Sequence, residues 1–343
     1  MKQKIAFGAL TILGVAGFAA AAEAQSGELT LYCALQPEWC QAMATAFEAE
    51  TGITVNMTRK SSGETYAQLL AEASNPRGDV WWGGTGDPHL QAAEEGLTME
   101  YQSPMLEQLQ PWAVSQAEAS GYRTVGIYAG ALGFGYNTEW LEANGLEAPA
   151  CWSDLVEEQY RGEIQIANPN SSGTAYTALS TFVQLMGEEE AFEYMRALNE
   201  NVNEYTQSGS APIKAAARGE TGIGIVFMHD AVQQAVEGFP IEVVAPCEGT
   251  GYEIGSMSIV EGAPNLENAK IWYDWALSPE AQSIAATVNA FQVPSNVNAE
   301  TPPEAPDLES IKLIDYDFET YGSSEERTRL LSKWDEEIGS LPR

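Results

Sequence analysis

The feature that most constrains the fold is a repeated unit: a short strand pattern, a Ser/Gly turn, and then a helical pattern. In one unit, alternating residues at 163–167 precede the turn 168–174, and apolar residues recur at helical spacing from Ala175 onward. A second unit places Ser61-Ser62-Gly63 between a strand pattern at 54–58 and another helical pattern. Because strands that alternate with helices form mostly parallel sheets covered on both faces, the sequence predicts the α/β class.

The N-terminus has the three parts of a secretory signal peptide. Lys2 and Lys4 precede an apolar run, and Ala22-Glu23-Ala24 supplies the small residues that a signal peptidase reads. We therefore predict that residues 1–24 are removed on export and that the mature protein is periplasmic. No later stretch is apolar and long enough to suggest a membrane span.

Two glycine-rich, strand-like stretches divide the rest of the 343-residue chain. They lie at 121–137 and 249–255 and are predicted to cross between two domains, since this length exceeds what one core usually supports. We predict lobe 1 at 25–130 plus 255–343 and lobe 2 at 131–254. Each lobe would be a mostly parallel sheet flanked by helices, with a two-strand hinge between them and the acidic tail packed on lobe 1.

The charge excludes several partners. There are 49 acidic and 16 basic residues, a formal net charge of −33, which disfavours nucleic acid and anionic lipid surfaces. Solubility alone is an alternative explanation of this charge. A small anionic ligand remains compatible with it, provided that local dipoles and hydrogen bonds hold the ligand. We expect a monomer.

The four cysteines indicate disulfides, because an even number in an exported protein is typical of them. Cys33 and Cys40 flank a short loop, and Cys151 and Cys247 would then join distant parts of the chain. A metal site is a weak alternative, since there is neither a C-x-x-C pair nor a histidine cluster near them.

Polar side chains follow predicted strands in both halves of the chain. In open α/β sheets, ligands bind beyond the carboxyl ends of the strands, and two lobes facing each other would bring these groups together. Hydroxyls and helix-start amides suit phosphate oxygens, whereas carboxylates accept from sugar hydroxyls. The predicted binding residues are Ser61, Ser62, Gly63, Thr85, Ser171, Ser172, Gly173, Thr174, His229, Asp230 and Glu253.

Each group also has a purely structural explanation. Ser172 or Thr174 could cap the helix that follows, and so could Asp230. His229 could be a buried structural histidine, and Ser61 and Ser62 could be ordinary turn residues.

Several motifs in this order resemble the periplasmic substrate-binding proteins of ABC importers, in the subgroup that contains ferric-ion and hexose-phosphate binders. The resemblance covers nearly the whole mature chain and rests on these stretches: 28–32, 51–55, 60–65, 78–84, 133–137, 168–174 and 222–230. It implies the type 2 fold, in which two lobes close over a ligand, and delivery of that ligand to a permease at the inner membrane. It implies neither a cofactor nor a resident metal.

The two branches of this subgroup differ at one place. Ferric binders carry a tyrosine pair after the strand that corresponds to 222–227, but here the chain reads Met228-His229-Asp230. Sugar-phosphate binders carry His-Asp there, with serines for the phosphate and a later glutamate, which matches Glu253 better than Glu248. We therefore predict a phosphorylated solute, with ferric iron held by His229, Asp230 and Glu253 as the alternative.

An enzyme is the third class considered. The sequence has neither a G-x-S-x-G nor an H-E-x-x-H motif, and its two histidines are His89 and His229. Hydrolase triads and zinc sites are difficult to assemble from this set, so we predict that the protein is not an enzyme.

Overall fold

The computed structural model describes residues 27–342 as ten strands and thirteen α-helices, with short 3₁₀ and π segments between them. The predicted signal peptide lies outside the described residues. The first half contains β1 (Glu28–Cys33), α1 (Pro37–Thr51), β2 (Thr54–Arg59), α2 (Ser62–Glu72), β3 (Val80–Trp82), α3 (Gly86–Glu94), α4 (Pro111–Ala119), β4 (Val125–Asn137) and α5 (Thr138–Asn144).

The second half repeats the alternation and ends in a helical tail. It contains β5 (Ile164–Ala167), α6 (Gly173–Met186), α7 (Glu188–Asn201), β6 (Val202–Thr206), α8 (Ala211–Ala217), β7 (Ile223–Phe227), α9 (Met228–Val236), β8 (Ile241–Val244), β9 (Tyr252–Ile259), α10 (Leu266–Ala276), α11 (Pro279–Gln282), β10 (Val293–Pro294), α12 (Phe318–Tyr321) and α13 (Ser324–Trp334). None of the described helices is both long and apolar enough to cross a membrane.

The strands form one continuous sheet in the order β2-β1-β3-β9-β4-β7-β5-β6, and β8 and β10 also pair with β4. Parallel pairs join β1 to β2 and β3, and β5 to β6 and β7. All described pairs that involve β4 or β9 are antiparallel. The predicted α/β class with mainly parallel strands is therefore confirmed, and β4 and β9 are the two strands at the centre.

Two large hydrophobic cores lie on either side of these central strands. Strand β4 contributes Val125 and Ile127 to the first core, and then Leu132 and Phe134 to the second. A strand that enters two cores is the physical link between two lobes. The predicted boundaries at 130/131 and 254/255 fall within these crossing strands or next to them, and they remain a prediction.

The tail packs on both lobes and not on lobe 1 alone. Ser324 Oγ donates to Glu95 Oε1 of lobe 1 at 2.8 Å, whereas α13 enters the second core. Leu330, Trp334 and Ile338 are buried in the second core, against residues of α6 and α7. The backbone amide of Asp317 also donates to Gln184 Oε1 of α6 at 2.8 Å. The amphipathic pattern of α13 indicates that one face is buried, but it does not specify which lobe covers that face.

Both expected disulfides are present: Cys33 pairs with Cys40, and Cys151 pairs with Cys247. The first links the end of β1 to α1, so it anchors the short loop that contains Leu35 and Gln36. The second closes a 96-residue separation. Closing a long loop restricts the unfolded chain more than closing a short one does.

Candidate functional site

A cavity lies between the lobes, and small-molecule sites are common at such positions between domains. Its walls come from β-strand ends and helix starts of both lobes. The lining residues are Ala34, Leu35, Gln36, Arg59, Ser61, Ser62, Gly84, Thr85, Tyr128, Ser172, Gly173, Thr174, Ser208, Gly209, Ser210, Phe227, His229, Asp230, Glu253 and Gln292.

The structure brings most of the predicted binding residues to this cavity. Those that line it are Ser61, Ser62, Thr85, Ser172, Gly173, Thr174, His229, Asp230 and Glu253. Gly63 and Ser171 do not line it. Instead the Gly63 amide donates to the Ser171 carbonyl at 3.1 Å, which is a direct contact between the lobes.

One side of the cavity, called here the serine end, consists of Ser61, Ser62, Thr85 and 172–174, with Gly84 and 208–210 beside them. Helices α2, α3 and α6 all begin there. The first amides of a helix have no partner within the helix, and the helix dipole places partial positive charge at that terminus. Three such termini around one cavity favour a negatively charged group.

Glycines allow the groups of the serine end to approach closely. A Cβ on Gly173 would lie 2.0 Å from Thr85 Oγ1 of the opposite lobe, and one on Gly209 would lie 2.0 Å from Thr174 Oγ1. A side chain at either position would push the hydroxyls apart. The small residues therefore follow from how closely the lobes meet.

Arg59 adds a formal positive charge at this end. Its guanidinium donates to the Leu35 carbonyl at 2.9 Å and to Ser208 Oγ of the opposite lobe at 3.2 Å. Among the described residues it is the single lysine or arginine that lines the cavity. Because the side chain is exposed, its charge acts from the edge of the cavity and is partly screened.

The other side, called here the carboxylate end, consists of Gln36, Tyr128, His229, Asp230, Glu253 and Gln292. His229 Nε2 lies 3.9 Å from Asp230 Oδ2 and 3.8 Å from Glu253 Oε1. Gln36 Nε2 donates to Asp230 Oδ1 across the cleft at 2.5 Å. This end therefore combines acceptors and donors that suit hydroxyl groups.

Burial shifts the pKa values of two side chains at the carboxylate end, His229 and Glu253. Desolvation lowers the pKa of His229 below 6.5, so the imidazole is neutral at pH 7. Desolvation, and then the charge of Asp230, raise the pKa of Glu253 well above 4.5. Both shifts favour the neutral forms, which donate and accept hydrogen bonds without bringing net charge to the ligand.

Several buried atoms in the cavity wall have no hydrogen-bond partner in the described part of the protein. They are Gln36 Oε1, Thr85 Oγ1, His229 Nδ1, and both amide atoms of Gln292. Buried polar atoms are normally paired, and leaving one unpaired costs about 1–3 kcal/mol. Their concentration around one cavity indicates that a polar ligand completes them.

The structural explanations of these residues have mixed outcomes. Ser172 does cap α6, since its hydroxyl accepts from the Ala175 amide at 3.4 Å, and it also lines the cavity. Asp230 does not cap α9, which has Phe227 at its cap position. The Ser61 hydroxyl donates to the Gln207 carbonyl of the opposite lobe at 3.2 Å, so it is more than a turn residue.

Among the lining residues that the sequence did not indicate, five parts carry polar side chains: Gln36, Arg59, Tyr128, Gln292 and the stretch 208–210. A signal existed for 208–210, because Ser208-Gly209-Ser210 repeats the Ser/Gly turn before a helix. Arg59 lies two residues before the first Ser-Ser-Gly turn, within the same local unit. Gln36 lies at the cap position of α1, just beyond the carboxyl end of β1, but without the Ser/Gly composition of the other turns. Tyr128 and Gln292 reach the cavity through tertiary packing, and no local pattern marks them.

Glu248, the less favoured alternative to Glu253, lies in a different part of the structure. The one group of three potential metal ligands among the described residues is Cys151, Cys247 and Glu248, but the two sulfurs are bonded to each other. Glu248 accepts from the amides of Trp152 and Ser153, both at 2.8 Å. Glu248 is therefore engaged in lobe 2 and is absent from the cavity lining, where Glu253 lies instead.

Comparison with known proteins identifies the class. Residues 86–319 match the family described as bacterial extracellular solute-binding proteins, so the chain belongs to that family. The fold is that of type 2 periplasmic binding proteins, and the resemblance predicted from the sequence motifs is confirmed.

Individual relatives cover nearly the full chain. An uncharacterized protein of Haemophilus influenzae is 45% identical over 339 residues, which span 98% of each chain. AfuA from Actinobacillus pleuropneumoniae, solved with exogenous fructose-6-phosphate bound, has a TM-score of 0.90 and 48% identity over 92% of this chain and 99% of its own. The periplasmic binding protein P5PA has a TM-score of 0.88 and 40% identity, and the match covers 91% of this chain and 99% of P5PA.

Proposed function

We propose that this protein captures a sugar phosphate, or a similar small organophosphate, between its lobes and delivers it to an ABC permease in the inner membrane. The phosphate would occupy the serine end, where Ser61, Thr85 and the start of α6 present hydroxyls and helix amides. The hydroxyl groups would occupy the carboxylate end, where His229, Asp230 and Glu253 lie.

The observation that carries this proposal is the polarity of the cavity. One end has three helix N-termini, hydroxyls and Arg59, and the other has buried carboxylates with a neutral histidine. A ligand that is anionic at one end and hydroxylated at the other fits both. The fructose-6-phosphate bound by the similar protein AfuA has this form.

Closure of the lobes would depend on contacts to both of them. Two hydrogen bonds already bridge the cleft in this structure. One runs from Gln36 to Asp230 and the other from Arg59 to Ser208. A ligand that pairs with Thr85 of lobe 1 and Thr174 of lobe 2 would add further bridging hydrogen bonds. Such differential contacts are what shifts a two-lobed protein toward its closed form.

Calorimetric titration tests the proposal with three probes: fructose 6-phosphate, fructose and inorganic phosphate. We expect fructose 6-phosphate to bind at least about 100-fold more tightly than either fragment, because only it satisfies both ends. Comparable affinity for free fructose would contradict a phosphate site at the serine end.

Ferric iron, the alternative ligand, is separated by the same assay. The chain has no tyrosine pair at 228–230, and hard ferric iron prefers phenolate and carboxylate oxygens. A rise in melting temperature with ferric citrate, together with none from the phosphorylated sugar, would reverse the assignment.

We further propose that the protein is exported by a cleaved signal peptide, acts as a monomer and does not convert its ligand. Membership in an extracellular solute-binding family supports export, and mass measurement of the periplasmic protein tests cleavage after Ala24. Incubation with fructose 6-phosphate should release no inorganic phosphate. Release that His229→Ala abolishes would instead indicate an enzyme.

A further inference from the structure

Gln292 is the most anomalous polar side chain in the cavity wall. It is 2% exposed, and neither its amide oxygen nor its amide nitrogen has a hydrogen-bond partner in the described part of the protein. A buried primary amide has two donors and an acceptor that are normally satisfied. Since the residue lines the cavity, an occupant of the cavity is the natural partner.

The strand register places Gln292 beside the residues of the carboxylate end. Val293 pairs with Ala129 and Pro294 with Tyr128, so Gln292 lies one step further along, at the level of Gly130. On its other side Gly130 pairs with Glu253. Gln292 and Glu253 therefore flank a position that has no side chain.

His229 lies over this position. A Cβ on Gly130 would lie 2.5 Å from His229 Nδ1 and 3.6 Å from Glu253 Oε1. The imidazole of His229 therefore fills the space over Gly130, and Gln292, His229 and Glu253 are three buried polar groups around this one glycine. All three line the ligand cavity, so a ligand group at that face of the cluster is their common potential partner.

A second cavity lies behind Gln292. This rear cavity is small, and its lining includes Trp39 and Trp82. It shares Tyr128 and Gln292 with the ligand cavity. The two indole N–H groups also lack partners among the described residues. No hydrogen bond of the described residues therefore holds the Gln292 amide toward the rear cavity.

We propose that Gln292 is a specificity-determining residue that hydrogen-bonds the hydroxylated end of the ligand, away from the phosphate. The inference rests on the proposed function. An amide both donates and accepts, so it matches adjacent hydroxyls on a sugar. It also selects against a shorter phosphate ester, which would leave the amide unpaired.

Gln282 provides a matched control. It is the same residue type, is 6% exposed and lines the rear cavity but not the ligand cavity. Its amide is fully engaged, because it donates to Ser295 Oγ at 2.8 Å and accepts from the Asn296 amide at 2.7 Å. Its replacement therefore removes protein hydrogen bonds, whereas replacement of Gln292 removes none that the structure shows.

The experiment compares the wild-type protein, Gln292→Leu and Gln282→Leu by calorimetric titration with fructose 6-phosphate and with the shorter glycerol 3-phosphate. We expect Gln292→Leu to bind fructose 6-phosphate about 5- to 100-fold more weakly. Its affinity for glycerol 3-phosphate should change less than about 2-fold. Its melting temperature without ligand should be unchanged or higher. Gln282→Leu should lower the melting temperature and keep the affinity ratio of the two ligands.

Equal losses for both ligands, or a fall in melting temperature as large as that of Gln282→Leu, would overturn the inference. Gln292→Met, measured in the same way, provides the result if the leucine variant does not fold. Failure of the wild-type protein to bind either phosphate ester would overturn the proposed function itself. If the wild-type protein binds fructose 6-phosphate and the Gln292 variants keep its affinity ratio between the two esters, only the role of Gln292 is overturned.

Discussion

The two ends of the cavity are built by different means. The serine end uses short hydroxyls, backbone amides and three helix starts. Several of these groups also have a local role, such as the capping of α6 by Ser172, and Thr85 Oγ1 is an exception without a partner among the described residues. The carboxylate end uses ionisable and amide side chains that are buried from water, with several atoms unpaired. The first end costs the fold little, because its groups also stabilise helices. The second destabilises the ligand-free protein, since buried polar groups lose hydration.

This difference gives opposite expectations for mutations. At the serine end, a substitution should change binding and leave stability nearly constant. At the carboxylate end, a substitution that removes a buried charge should weaken binding and stabilise the free protein. The following predictions are ordered from the largest expected effect on affinity to the smallest.

Thr174→Asp should weaken binding of fructose 6-phosphate by at least about 100-fold, because a carboxylate would face the phosphate. Thr174→Asn is the matched control, because asparagine has nearly the size of aspartate but no charge. This variant should weaken binding far less. Calorimetric titration measures both. Unchanged affinity in the aspartate variant, and likewise in Ser61→Asp, would exclude an anion at the serine end.

Glu253→Gln should weaken binding by about 10- to 100-fold, because hydrogen bonds to a charged or protonated carboxyl group are replaced by amide contacts. The same variant should melt at a higher temperature without ligand. Burial raises the pKa of Glu253 above its value of 4.5 in the unfolded chain, so its ionisation penalises the fold increasingly as pH rises.

The stability difference between Glu253→Gln and the wild-type protein should therefore be small at pH 5 and larger at pH 8. Differential scanning calorimetry at the two pH values measures it. A variant that is less stable than the wild-type protein at pH 8 would show that Glu253 is a structural residue.

His229→Ala should weaken binding about 10-fold and change the melting temperature by no more than about 5 °C. The imidazole has an unpaired Nδ1, and its Nε2 lies 3.8 Å or more from the carboxylates. Burial lowers its pKa below 6.5, so its protonation favours unfolding as pH falls. The variant should therefore lose less stability between pH 7 and pH 5 than the wild-type protein does.

His89 is the control for this prediction. Its Nδ1 lies 2.8 Å from Ser258 Oγ, and its ring stacks on that of Trp81 with the ring centres 3.6 Å apart. His89 does not line the cavity. His89→Ala should lower the melting temperature more than His229→Ala does. If His229→Ala destabilises the ligand-free protein as strongly, the histidine is structural.

Arg59→Met should have the smallest effect, a loss of about 2- to 5-fold at low salt, because the exposed guanidinium lies at the edge of the cavity. The loss should shrink in about 0.5 M salt, since exposed charges are screened. Arg218→Met is the control, because Arg218 pairs with Glu220 and does not line the cavity. A loss that is independent of salt would place the charge of Arg59 deeper in the site.

The serine end was largely predictable from the sequence, and the carboxylate end only in part. Ser62, Thr85 and Ser172 belong to strand-turn-helix units, in which neighbours along the chain determine the local structure. Gln292 reaches the site through long-range packing, because it lies at the level of Glu253 in the register of β10, β4 and β9. That register depends on which strands pair, and no window of the sequence contains it.

The same reasoning explains the tail. A tail packed on lobe 1 was predicted from the sequence, but the choice between two apolar cores depends on the path of the chain after β10. The structure places Leu330 and Trp334 in the second core. Local pattern therefore predicts that a face is buried, and tertiary structure decides what covers it.

The most direct test of the whole account is a crystal structure of the protein with fructose 6-phosphate. We predict the phosphate within hydrogen-bond distance of Thr85 and of the first turn of α6, and the sugar hydroxyls at His229, Asp230 and Glu253. Density for the phosphate beside Glu253, or a ligand bound outside the interlobe cavity, would contradict the division of the site into two ends.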